Sequence, residues 1–314
     1  MARYRLALLG PPELHRDGEP LDLGSPQQQA VLMMLLAADG GFVTSAALAD
    51  GLWGEHAPPT GDTVIRTYVS RLRRVVPISF RSRSYALDLH VGGDPRQPDA
   101  EGRAVRAELV VDATEFAELI RSARDERAEG RVAVAAERLE AALELWTGTA
   151  LAGVPGEAAE RERFRLEQLK LSAGKELLEC RLDLRQHAEV VAEVPLLIQL
   201  NPLEEPLYEI YLTALYRSGR RAEALDVYRM LYDLLSTELG IRPGPGVQAV
   251  HEQILRAEVG TDRSALLRRL LDDARAIGLR ARLLTDPAAD LTDALSMVAG
   301  PVLVVELGST TGSS

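Results

Sequence analysis

Between positions 60 and 87 the chain carries Arg66, Arg71, Arg73, Arg74, Arg81 and Arg83 against a single acid, Asp62, a local charge of +5. A guanidinium fork pairs bidentately with the guanine edge or grips a phosphate. Advancing about 100° per residue from Val64, the residues Val64, Ile65, Tyr68, Val69, Leu72, Val75 and Val76 fall within an arc of about 140°. Ser70, Arg66, Arg74 and Thr67 lie nearest the opposite pole, and Arg71 and Arg73 flank it. One face of such a helix packs on a core, and the other presents Arg donors with short hydroxyls that allow close approach to base edges. Arg66, Thr67, Ser70, Arg71 and Arg74 are therefore candidate base readers. An Arg-rich surface helix with no ligand fits the same wheel about equally well. What separates the two readings is the next segment, 78–89, which alternates around Arg81-Ser82-Arg83. A basic hairpin tip suits a wing reaching phosphates or the minor groove. Thr44, Thr63, Arg73, Arg81, Ser82, Arg83 and Tyr85 are the candidate backbone and wing contacts.

These residues need a scaffold, and the flanking sequence supplies one. Tyr4–Leu9, Glu13–Arg16 and Pro20–Leu23 read as short strands separated by Pro11-Pro12 and Asp17-Gly18. Ser25-Pro26 opens a helix, with Ser as N-cap and Pro in the first turn, and Gln27–Ala38 continues it to Gly40-Gly41. Thr44 caps a second helix, Ser45–Leu52. Glu55–Pro59 is a loop, and a third helix runs from Gly61 or Asp62 to Val76, before Pro77. Sheet, three helices and hairpin, in that order, predict a winged helix-turn-helix over 1–92. The free N–H groups at the starts of the first two helices add possible phosphate donors, with simple capping at least as good an account of each.

Beyond a Gly/Pro/Asp/Arg-rich linker, apolar residues recur at helical spacing from Phe116 to about Glu258. Breaks are expected at Gly130, Gly148, Gly153, Asn201-Pro202, Gly219, Gly240 and Pro243. Paired helices of this length predict a helical-repeat domain over 108–258. Within it, the stretch 216–228 resembles a tetratricopeptide-repeat turn, with Gly219 at the bend and Ala224 at the close approach. A small α/β appendage is expected over 261–307 and a disordered tail over 308–314. The fold class expected is thus mainly α, with an α+β winged helix in front. The tail lacks the Gly-Lys-Ser/Thr of a phosphate loop, which weighs against nucleotide binding there.

Composition narrows the function. The net charge is −11 over 314 residues, yet residues 1–90 are neutral and the remainder carries the whole deficit. A basic patch on an acidic chain is still an electrostatic footprint for nucleic acid. The single cysteine, Cys180, allows no internal disulfide, and no long apolar run is present, so a cytoplasmic, nucleoid-associated protein without membrane contact is expected. His15, His56, His90, His187 and His251 are scattered without metal-ligand spacing. No nucleophile-elbow pattern occurs. The expectation is no metal, no cofactor and no enzyme activity.

The stretches PQQQAVLMMLL (26–36), ALADGLWG (47–54), PPTGDTVIRTYVSRLRR (58–74) and SRSYALDL (82–89) resemble the antibiotic regulatory protein family of streptomycetes. The resemblance continues into that family's bacterial transcriptional activator domain through DATEFAELIRSAR, AAERLEAALELWTG, NPLEEPLYEIYLTALYRSGRRAEALDVYRML and LGIRPGPGVQAVHEQIL, covering about residues 3–258. It implies an OmpR-like winged helix that binds direct repeats in promoter DNA, as a dimer at least on DNA. There it recruits RNA polymerase and its principal sigma factor to secondary-metabolite gene clusters. It further implies that Glu55, His56, Ala57, Pro58 and Pro59 face polymerase, with Trp53 packing beside them or touching the DNA backbone. Two departures matter. Gln27 and Gln29 stand where the family has basic residues, which implies weaker and less salt-dependent binding. Ser84 replaces the usual Gly before Tyr85, which leaves the geometry of the wing turn open. The competing reading is a protein-interaction adaptor whose winged helix no longer binds DNA, supported by the same two glutamines and the negative net charge.

Overall fold

A computed structural model describes residues 2–88, 90–91 and 107–256. The expected appendage 261–307, the tail and most of the linker lie outside the described residues. The chain is mostly helical, with small sheets near its N-terminus, and divides into two compact units, one up to Pro195 and one from Leu196 onward. Among the described residues no helix is long and apolar enough to cross a membrane.

The first unit opens with three strands, β1 (Ala2–Ala7), β2 (Glu13–Arg16) and β3 (Glu19–Leu21), joined as antiparallel neighbours. Three helices follow: α1 (Pro26–Ala37), α2 (Ser45–Trp53) and α3 (Gly61–Leu72). Ser25 caps α1 with a full capping box: its hydroxyl accepts from Gln28 N–H, and the Gln28 side chain accepts from Ser25 N–H. The two-residue strand β4 (Val43–Thr44) leads into α2 and pairs with a hairpin, β5 (Ile78–Arg81) and β6 (Ser84–Leu87), giving the order β4-β6-β5.

The sheet at the N-terminus is completed from further along the chain. Two strands, β7 (His90–Val91) and β8 (Ala107–Val111), extend it to β3-β2-β1-β8-β7, with β8 parallel to β1 and Ala2 opposite Ala107. The sequence offers no local means of pairing this five-residue strand. A short apolar run is ambiguous by periodicity, and its partner lies about a hundred residues earlier.

Helix α4 (Asp112–Ala128) starts directly from β8, and α5 (Val132–Glu144) and α6 (Glu157–Asp183) pack on it in turn. Asp112 ties the two parts of this unit together. Its carboxylate is 5% exposed and accepts from the backbone N–H groups of Leu8 (2.8 and 2.9 Å), Leu9 (3.1 Å) and Ala113 (2.7 Å). Burial pushes its carboxyl above the ordinary range, outweighing the three N–H donors and Arg5 that hold it down. The carbonyls of Leu8 and Leu9 accept in turn from Leu151 and Thr147, in the loop before α6. Arg163 of α6 donates to the carbonyls of Ala150, Leu151 and Val154 and so fixes that loop. Gly156 has φ +98°, and a Cβ there would lie 2.9 Å from the Gly51 carbonyl oxygen. Only glycine lets α6 begin this close to α2. One apolar core accordingly runs from Tyr4 to Cys180.

The helix α7 (His187–Leu200) contains Pro195 and is separated from α6 by Arg185 at φ +62°. Arg181 of α6 pairs with Glu140 of α5 and Glu193 of α7. In the second unit α8 (Glu205–Arg217) and α9 (Arg221–Glu238) form a helix pair turning at Gly219 (φ +75°), with Ala224 fully buried. Residues 245–256 are helical, and His251 stacks on Tyr228 of α9 at 3.7 Å between ring centroids.

Candidate nucleic-acid interface

Helix α3 divides as its wheel predicts. Ile65, Val69 and Leu72 are buried against α1 and α2, Val64 and Tyr68 are half-buried, and Thr63, Arg66, Thr67, Ser70, Arg71, Arg73 and Arg74 are exposed. The helix is shorter than its apolar pattern suggested. It ends at Leu72, and residues 73–76 continue as tightened turns, with Arg74 N–H bonded to the Arg71 carbonyl and Val75 N–H to that of Leu72. Pro77 disfavours helical backbone at Val76, and the chain must swing into β5. Arg74 therefore stands just past the helix end.

The exposed side chains are not equally available. Arg66 pairs with Asp62 one turn earlier at 2.7 Å, a link in high dielectric that a phosphate or base could displace. The Thr67 hydroxyl donates to the Thr63 carbonyl at 3.0 Å. Arg71 Nη1 reaches Gln28 Oε1 at 3.5 Å, so the capping amide of α1 also steadies a candidate base reader. Gln28, buried between Gln27 and Gln29 in sequence, carries no local signal that sets it apart from them. Gln29 Nε2 donates to the Gly24 carbonyl. The side chains of Ser70 and Arg74 are without hydrogen-bond or ion-pair partners among the described residues.

Arg73 serves as the hinge between helix and hairpin. Its Nε donates to the Ile78 carbonyl at 3.1 Å and its guanidinium lies 6.0 Å from the centre of the Phe80 ring. The hairpin closes with Arg81 opposite Ser84, so Ser82-Arg83 is a two-residue tip with φ +49° and +63°. Both central residues at positive φ match a type I′ turn, which follows the twist of the strands. Ser84 is the first residue of β6 and follows the two-residue tip, so it needs no positive φ. Tyr85 corrects an expectation. It is buried on the inner face of the hairpin, 5.1 Å from Phe80, so it is not available as a wing contact. Alternation along β6 assigns it to the core face with Leu87.

Asn-Gly is the preferred pair for such a tip, and a non-Gly residue in the left-handed region costs about 1 kcal/mol. Replacing Ser82-Arg83 by Asn-Gly is expected to raise stability by about 1 kcal/mol while weakening any duplex binding and lowering its salt slope by about one. Paired denaturation and binding titrations check both signs; a stabilised variant with undiminished binding would remove Arg83 from the interface.

The remaining candidates lie on α2 and the loop after it. Thr44 Oγ1 accepts from Ala47 N–H at 3.1 Å as the cap of α2, and Ser45 N–H donates to the Arg83 carbonyl, which fixes the wing against that cap. Trp53 is half-buried and lies over Gly61. Glu55, His56, Ala57 and Pro59 are exposed and Pro58 is half-buried, in a loop that opens with a 3-10 turn at Gly54–His56. Glu157 of α6 reaches this loop closely enough that a Cβ at Gly54 would lie 2.7 Å from its carboxylate. Among the described residues no group of three or more His, Cys, Asp or Glu side chains is placed to hold a metal ion.

Comparison with known proteins agrees with this architecture. Residues 111–255 match the bacterial transcriptional activator domain. The regulatory protein AfsR of Streptomyces coelicolor is 41% identical over 258 residues, 81% of this chain but only 24% of that protein. The regulatory protein DnrI of Streptomyces peucetius is 29% identical over 266 residues, 83% of this chain and 95% of that protein. The solved structure of Mycobacterium tuberculosis EmbR, in complex with a low affinity phosphopeptide, superposes with a TM-score of 0.70 at 29% identity, covering 87% of this chain and 72% of that one. The chain thus spans about a quarter of the length of AfsR. With a winged helix followed by this activator domain, the chain belongs to the antibiotic regulatory protein family of transcriptional regulators.

Proposed function

We propose that the chain is a sequence-specific DNA-binding activator of a secondary-metabolite gene cluster, with α3 reading the major groove and the Ser82-Arg83 tip gripping the adjacent backbone. The observation that carries this reading is the exposed row Arg66, Thr67, Ser70, Arg71 and Arg74 on a helix anchored from behind by Ile65, Val69 and Leu72, with a basic hairpin tip at its side. Such a helix supplies bidentate donors for base edges, and the hairpin supplies cations for phosphates. Binding to direct repeats as a dimer, and recruitment of RNA polymerase and its principal sigma factor through Glu55–Pro59, follow from the family. Two protomers on adjacent repeats would present two such loops.

The test is a gel-shift series with the full chain on the upstream regions of neighbouring genes, over a range of salt, followed by transcription from the retained fragments. A fragment ending near residue 95 is unsuitable, because β8 and Asp112 would be missing from its sheet. Salt-dependent retention with increased transcript is the expected outcome. Absence of binding at low salt, together with a protein partner captured by residues 109–258 of the intact chain, would favour the adaptor.

A further inference from the structure

Phe80 is a large apolar side chain on the first strand of the wing. Alternation puts it on the inner face of β5 with Ile78, yet it is 55% exposed. One side of its ring is taken by Tyr85 at 5.1 Å and a tilt of 37°, and the Arg73 guanidinium lies 6.0 Å from its centre. Arg73 spends only Nε on the Ile78 carbonyl, which leaves its two terminal nitrogens for another acceptor. Ring and guanidinium thus lie side by side where the end of α3 meets the hairpin. Arg74 and Arg81, their neighbours in sequence, and Arg83 at the hairpin tip are all exposed.

A duplex that presents its major groove to a helix and its neighbouring minor groove to a wing must pass one sugar–phosphate strand between the two. That strand offers an anionic oxygen and an apolar deoxyribose face within a single nucleotide. We propose that Arg73 and Phe80 form a clamp on this strand, the guanidinium taking a phosphate and the open face of the ring covering the adjoining sugar. The inference rests on the DNA-binding reading and adds to it a non-ionic contact. Covering the apolar face of a deoxyribose removes apolar surface from water whatever the base, so the clamp sets the angle between helix and wing on the duplex and carries no sequence preference.

The two halves of the clamp have different signatures. Phosphate contacts release counterions and steepen the dependence on salt, whereas a ring on a sugar does not. The experiment uses the full chain and a labelled duplex that the wild type selects from a random-sequence pool. Phe80→Ala is expected to weaken binding about tenfold with the salt slope unchanged, and Phe80→Leu to fall between it and wild type. Arg73→Ala is expected to weaken binding and lower the slope by about one. Photo-crosslinking from p-benzoylphenylalanine placed at position 80 should label the duplex, and thermal melting of each variant separates lost contact from lost fold. If the wild type selects no duplex, both the DNA-binding reading and the clamp fall. If the wild type binds while Phe80→Ala binds as tightly and position 80 does not crosslink, the clamp alone falls.

Discussion

Truncating Asp112 to alanine is expected to lower the stability of the first unit by about 3 kcal/mol, because the buried N–H groups of Leu8 and Leu9 would lose an ionic acceptor at about 1–3 kcal/mol each. Asp112→Asn keeps one acceptor oxygen and is expected to lose roughly half as much. Trp53 and Trp146 both fall within residues 1–195, so tryptophan fluorescence during denaturation reports on this unit alone. The midpoint should shift with little change in slope. An unchanged midpoint for the alanine variant would mean that the carboxylate merely fits between the two parts and does not hold them.

The second large effect is on recognition. Arg71→Ala combined with Arg74→Ala is expected to weaken binding to a selected duplex by about a hundredfold or more, since each bidentate contact discriminates by about 1–3 kcal/mol. Both side chains are exposed, so melting should move by no more than about 0.5 kcal/mol. Gln28 keeps its bond to Ser25 N–H when Arg71 is removed, so the cap of α1 survives. Wild-type affinity in the double variant, with folding intact, would show that α3 is not the reading helix.

Much of the fold is legible in local chemistry. Ser25-Pro26 announces α1, Thr44 announces α2, and the wheel of α3 predicts its buried and exposed faces residue by residue. The hairpin tip at Arg81–Arg83 is placed by alternation alone. What stays hidden is long-range or unconventional. The pairing of β8 with β1 depends on a partner remote in sequence. Asp112 looks like one more N-terminal helix acid, and only the tertiary structure buries it. The boundary between α6 and α7 escapes notice because Arg185, instead of a glycine, takes the left-handed position. At the interface the residue types were readable, but their competition for partners was not. Arg66 is engaged by Asp62, Arg73 by Ile78 and Phe80, and Tyr85 is withdrawn into the core.

The parallel pairing of β1 with β8 also sets an order of events during synthesis. At about 5–20 residues per second, the first strand waits roughly 5–20 s for residues 107–112 to be made before its second neighbour and its carboxylate anchor exist. Until then β1 presents an open edge, the kind of surface on which nascent chains pair wrongly. The three helices between them shorten the effective loop once formed, so closure is cheapest if those helices fold first. A stalled ribosome short of residue 107 would therefore display helices α1 to α3 on an unfinished sheet, and protease sensitivity of nascent chains should drop sharply as that point is passed.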